Sequence, residues 1–109
     1  MALHHAEPGE IIDLRPLGSK LKITKTVAIS KTDHFEAIRL VVPAGAFIDP
    51  HAVPGELTLF CLEGRVILGL PTRDVTLNAG EWLYLSGGET HSVKGVEDAS
   101  LLLTILLSK

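Results

Sequence analysis

Glycine and proline punctuate this chain and limit what it can become. Ten glycines and six prolines sit between short runs of Val, Ile, Leu and Thr. That spacing is typical of an all-β sandwich or barrel. No window carries the 3.6-residue periodicity of a surface helix over useful length. Over residues 21–29, Leu21, Ile23, Val27 and Ile29 alternate with Lys22, Thr24, Thr26 and Ala28, which predicts a strand with one buried face. A second strand is predicted over 34–42. Its alternation puts His34, Glu36, Ile38, Leu40 and Val42 on one side, and Phe35, Ala37, Arg39 and Val41 on the other. Pro50 and Pro54 keep the following stretch extended but irregular, because they cannot donate to a central ladder. Strands then follow over 57–62 and 65–70, hinged by a sharp turn or bulge at Glu63-Gly64, and over 75–77 and 81–85. The last two, 90–94 and 100–107, are separated by a turn at Val96-Glu97-Asp98. About nine strands result, with no helix. Antiparallel strands in that number bury their edges best by closing into a barrel or a double-sheet jelly roll.

The 109 residues fit one domain, and a chain of that length buries a core without disulfide staples. Residues 1–18 read as an N-terminal arm, partly ordered at best, and residues 19–109 as the barrel domain. Cys61 is the only cysteine, so an internal disulfide is ruled out. The formal net charge is −3 and the charges are scattered without a basic stripe, which argues against a nucleic-acid or anionic-membrane surface. The start of the chain lacks the basic-then-apolar pattern of a signal peptide, and the apolar run 101–107 is too short to span a bilayer. The expectation is a soluble, cytoplasmic protein. Its near-continuous apolar last strand should be covered on both faces. Together with the large amphipathic side chains of Trp82 and Tyr84, that strand predicts a homodimer.

Two glycine-bounded stretches, 45–64 and 80–95, carry the candidate chemistry. Each holds one histidine, His51 and His91, and imidazole serves either to hold a metal or to hydrogen-bond a ligand. Gly45, five intervening residues and His51 begin the first stretch, and Leu62-Glu63-Gly64 end it. Gly80, Gly88 and His91 space the second. In this order and at these spacings the stretches resemble the two motifs of the cupin superfamily, over residues 21–107. The resemblance implies a single-domain double-stranded β-helix, a small jelly-roll barrel usually found as a dimer. It also implies a metal held by three histidines and one glutamate. His51 and His91 occupy two of those positions, while the other two fall on Val53 and Leu57. The proline and asparagine of the second motif fall on Ser86 and Gly95.

These departures leave more than one reading open. In the first, the barrel binds a small organic ligand in a pocket lined by Phe47, Val53, Leu57, Leu59, Val93 and the two histidines, mostly apolar with a few polar groups. The apolar replacements favour a neutral or weakly acidic ligand. In the second, the chain is a metal-dependent enzyme of dioxygenase, isomerase or decarboxylase type. A divalent metal (Zn, Fe, Mn or Ni) would then sit on His51 and His91 with a carboxylate from Glu56 or Asp49. Glu56 is one residue from the motif position, which in a regular strand points to the other face, but it follows Pro54-Gly55. Asp49 stands two residues before His51, on the same face by parity. Cys61 shares parity with Leu57 and Leu59 as a soft ligand, and His34 leans in from its strand. In the third reading, a metal-free acid–base enzyme uses His51 or His91 as the proton carrier.

Overall fold

The computed structural model describes residues 4–107. Seven strands follow a short 3-10 helix (Gly18–Ile23): β1 (Val27–Lys31), β2 (Phe35–Val42), β3 (Phe47–His51), β4 (Leu57–Gly69), β5 (Asp74–Asn78), β6 (Trp82–Leu85) and β7 (His91–Leu106). All pairings are antiparallel. The order is β1-β2-β7-β4-β5, with β3 added on β7 and β6 on β4. The two long strands, β4 and β7, pair from Leu57↔Ile105 to Gly69↔Ser92, with register shifts between Cys61 and Val66. Bulges of this kind bend a sheet and increase its twist. Here they fold it over, so that both halves of β4 feed one core. Leu57, Leu59 and Cys61 from the first half meet Val66 and Leu68 from the second, with Val42, Leu77, Leu85, Val93, Ala99 and Leu101 closing the cluster.

The structure has seven strands where alternation suggested about nine: two expected breaks do not divide a strand, and the first strand begins later than alternation suggests. Residues 18–23 coil into the 3-10 helix instead of starting a strand. Gly18 takes a positive φ of 60°, and the Thr24 hydroxyl and amide donate back to the carbonyls of Lys20 and Leu21. Leu21 is buried there while Ile23 is 83% exposed, so the alternation of these two residues does not mark a strand face. Of the turn and the bulge that Glu63-Gly64 allows, the structure takes the bulge, within β4. Gly64 has φ 78°, and a Cβ on it would run into the Asp98 carbonyl of the paired strand. The turn expected at 96–98 is likewise absent, because β7 runs straight through it. Gly95 allows this, since it lies against the Pro43 carbonyl where a side chain would not fit. The irregular stretch around Pro50 is strand β3.

The outer face of the sheet carries an unexpected buried cation. Arg39 projects from β2 on the face opposite Val42, yet it is buried, because the N-terminal segment lies over it. Arg39 Nη2 donates to the Arg15 carbonyl, to Glu63 Oε2 and to Ser100 Oγ. Glu63 also accepts from the amides of Leu17 and Gly18 and from the Ser100 hydroxyl. Further along, the Ala6 amide donates to the Ile29 carbonyl. Burial pushes the Glu63 carboxyl up, but these donors and the Arg39 charge outweigh it and hold the group below its ordinary value.

A folded-state pKa below the unfolded one gives a contribution that is complete above about pH 4.5, the ordinary value. That contribution is lost as pH falls through the folded value. Glu63→Gln should therefore cost about 3 kcal/mol at neutral pH, by leaving the Arg39 charge unpaired. It should also flatten the acid side of the stability curve. Thermal unfolding across the acid range checks this, and parallel curves for the two proteins would assign the acid sensitivity elsewhere.

Candidate functional site

The register of the sheet brings the two histidines together. His51 ends β3, His91 begins β7, and the two are direct cross-strand partners. Their ring centroids stand 4.3 Å apart with the planes inclined at 57°. Both rings are held in the same way. His51 Nδ1–H donates to the Asp49 carbonyl at 3.0 Å and His91 Nδ1–H to the Glu89 carbonyl at 3.1 Å. A carbonyl can only accept, so in each neutral ring the proton sits on Nδ1 and Nε2 keeps its lone pair. His91 is only 4% exposed. Its Nε2 has no protein partner among the described residues, yet that atom is not sealed from solvent. The geometry leaves two hydrogen-bond acceptors side by side at the surface end of the sheet.

The other expected pocket residues divide. Leu57, Leu59 and Val93 are buried, but they pack into the core cluster. Val53 is half-buried against that core and lines a cleft of about 260 Å³ with Pro54, Gly55 and Ile105. Phe47 does not line the interior. It is 56% exposed and pairs with Lys94, while its neighbour Ile48 pairs with Val93 and packs on the core. The cause is a register shift between Ile48 and His51, and one extra residue exchanges the faces that simple alternation assigns. The parity that put Asp49 beside His51 fails at the same shift. Of Asp49, the backbone carbonyl is what serves the imidazole.

The expected carboxylate and thiol ligands are not assembled around the histidines. Glu56 lines an outer cleft with Thr58, Trp82, Tyr84 and Leu106. Cys61 is fully buried, and its thiol donates to the Glu63 carbonyl at 3.3 Å. Burial pushes that thiol up and keeps it neutral. His34 is exposed ahead of β2, where its carbonyl accepts from the Leu107 amide. Among the described residues no group of three or more His, Cys, Asp or Glu side chains is placed to hold a metal. Two imidazoles without a third donor do not match the four-ligand shell that the motif resemblance implies, nor the three protein ligands of a catalytic zinc site.

Sequence reasoning singled out the histidines but missed Glu36. Glu36 is cross-strand partner of Ile105, which pairs with Leu57, which pairs with Leu85. This row closes the core at one end, and loops 52–56 and 86–90 join it to His51 and His91. The two loops are clasped together, with the Gly88 amide donating to the Val53 carbonyl at 2.7 Å. Glu36 lines the cleft beside Val53, and the two clasped loops lead from the ends of that row to His51 and His91. The signal was present in the alternation of β2, which sets a glutamate on the side of Ile38, Leu40 and Val42.

No protein-family model and no curated protein matches the sequence. Solved structures do match in shape. A cupin superfamily protein from Desulfitobacterium hafniense is 14% identical with a TM-score of 0.75, over 90% of this chain and 95% of that one. An RmlC-like cupin from Desulfovibrio desulfuricans is 20% identical with a TM-score of 0.73, over 90% and 98%. A conserved protein of unknown function from Streptococcus pyogenes is 14% identical with a TM-score of 0.75, over 100% and 99%. At these identities the likeness concerns the fold, which is that of a small cupin and agrees with the all-β barrel expected from the strands and motifs.

The arrangement of the rings predicts their tautomers. Long-range proton–nitrogen correlation spectra should show His51 and His91 protonated at Nδ1 and unprotonated at Nε2 in the neutral state. The opposite tautomer at either ring would remove the paired acceptors.

Proposed function

We propose that this cupin-fold chain binds a small organic molecule at the barrel mouth, with His51 and His91 as its hydrogen-bonding groups. The observation that carries this reading is the pair of Nε2 atoms left without protein partners while both rings are fixed from behind. A buried imidazole with an open acceptor is costly unless water or a ligand satisfies it. The adjoining cleft beside Val53 supplies apolar wall, and a few polar groups against apolar lining is the usual make-up of a small-molecule site. The metal-dependent alternative is weaker on its donor set, since the carboxylates it needs lie elsewhere.

Short-chain alcohols, amines and carboxylates serve as probes by NMR titration. At least one should shift the His91 ring signals saturably, and His91→Ala should weaken it about fivefold, the worth of one hydrogen bond. Elemental analysis of protein purified without an affinity tag supplies the opposing result. Near-stoichiometric metal that disappears in a His51→Ala, His91→Ala double variant would overturn the reading.

The same reading takes the working form as a homodimer. Trp82 and Tyr84 are more than half exposed, stand edge to face with centroids 6.2 Å apart, and lie on β6 beside Phe60 and Thr58 of β4. The apolar surface continues through Leu102 to exposed Leu106 and Phe35, and contiguous apolar surface of this kind marks an interface. Light scattering at micromolar concentration should give twice the chain mass, and Trp82→Ser with Tyr84→Ser should return the monomer. A monomeric parent protein would refute the dimer.

A further inference from the structure

We infer that the ligand of this mouth is a small organic cation, a primary ammonium on a short apolar body, with Glu36 as its charge anchor. The inference rests on the proposed site and names the class of molecule it takes. The cleft beside Val53 has a volume of about 260 Å³, and Glu36 is its only ionisable lining residue, against Pro54, Ile105 and Leu107. The Glu36 carboxylate makes no hydrogen bond or ion pair among the described residues. Lys31, its cross-strand partner on β1, is exposed and forms no such pair with it.

The polar groups assigned to the mouth are acceptors. The two imidazoles present Nε2 lone pairs, and Glu36 adds a carboxylate. The segments that carry and flank the two histidines repeat this bias. Residues 44–64 and 74–93 contain no lysine or arginine, while Asp49, Glu56 and Glu89 lie in or beside its loops. A carboxylate ligand would meet the like charge of Glu36 and would leave the acceptors unpaired. An ammonium supplies three donors and one positive charge, which these groups match. The small volume limits the apolar body to a few carbons, below the usual range for larger ligands. This class differs from the neutral or weakly acidic ligand that the apolar replacements in the sequence favour. The difference comes from Glu36, whose place at the mouth is a fact of register.

The test uses three probes of one chain length, n-butylammonium, n-butanol and n-butyrate, titrated into the full chain at about pH 8, where a free imidazole is neutral. The Val53 and Ile105 methyl signals and the His91 ring signals report binding. Butylammonium should bind about tenfold tighter than butanol, the scale of a charge-assisted hydrogen bond, and butyrate more weakly than either. Glu36→Gln should remove the preference for the cation, bringing the butylammonium affinity to about that of butanol. Butyrate binding as tightly as butylammonium, with the same signals shifting, would overturn the cation class and leave the site standing. A preference for the cation that survives in Glu36→Gln would overturn Glu36 as anchor. Silence of all three reporters toward all three probes would overturn the inference together with the site.

Discussion

The pairing of β4 with β7 is the constraint on which this fold depends. Both strands are long, and they hold each other across three register shifts. A regular ladder of that length would make a flat ribbon with one half of each strand far from the other. The shifts bend the ribbon, and Gly64 and Gly95 permit the backbone contacts at the bend. Once bent, Leu59 and Leu68 belong to one core although they lie in opposite halves of β4. The remaining strands extend this frame. β2 adds to the second half of β7 and β3 to its first half, so the position of His51 opposite His91 is a consequence of how β7 is used twice.

The same frame explains where polar groups are tolerated. The interior is filled by Leu57, Leu59, Leu85, Val93 and Leu101, and a carboxylate at the Leu57 position would be buried without a cation nearby, at a cost of several kcal/mol. Charge is accepted in two other places. One is the outer face, where Arg39 Nη2 pairs with Glu63 with help from Ser100 and from the amides of the N-terminal segment, while Arg39 Nε is buried without a partner among the described residues. The other is the mouth, where water reaches. The first placement ties a chain segment that has few other anchors onto the sheet. The second leaves acceptors free for a ligand.

Much of the fold was legible because β structure writes itself as alternation. The faces of β2 follow the pattern of its sequence, and the two histidine motifs bracket the correct ends. What alternation does not carry is irregularity. Leu21 and Ile23 alternate like a strand but sit in a 3-10 helix closed by Thr24. Gly64 leaves turn and bulge both open, and a turn is expected just after Gly95, because a glycine that permits a bulge or close contact looks the same in sequence as one that ends a strand. Phe47 was assigned to the wrong face for the same reason, since the register shift after Ile48 leaves no mark on composition. The histidines were found by motif spacing. Arg39 and Glu36 were not, because a charged residue in a strand usually faces water, and only the three-dimensional cover of each distinguishes these two.

The packed interior also bears on what kind of recognition this barrel can perform. A deep site would need the core to give up side chains such as Leu57 or Leu59, and each large-to-small change in a core costs a few kcal/mol. A mouth site avoids that cost, because the row from Glu36 to Leu85 ends the core and begins the rim at once. Its groups are held by elements already fixed for stability: the imidazoles by backbone carbonyls, the loops by the Gly88 amide on the Val53 carbonyl. Preorganised acceptors lose little entropy when a donor arrives. Selectivity in such a place would come less from enclosure than from sign of charge, which the Glu36 carboxylate and the imidazole acceptors would set.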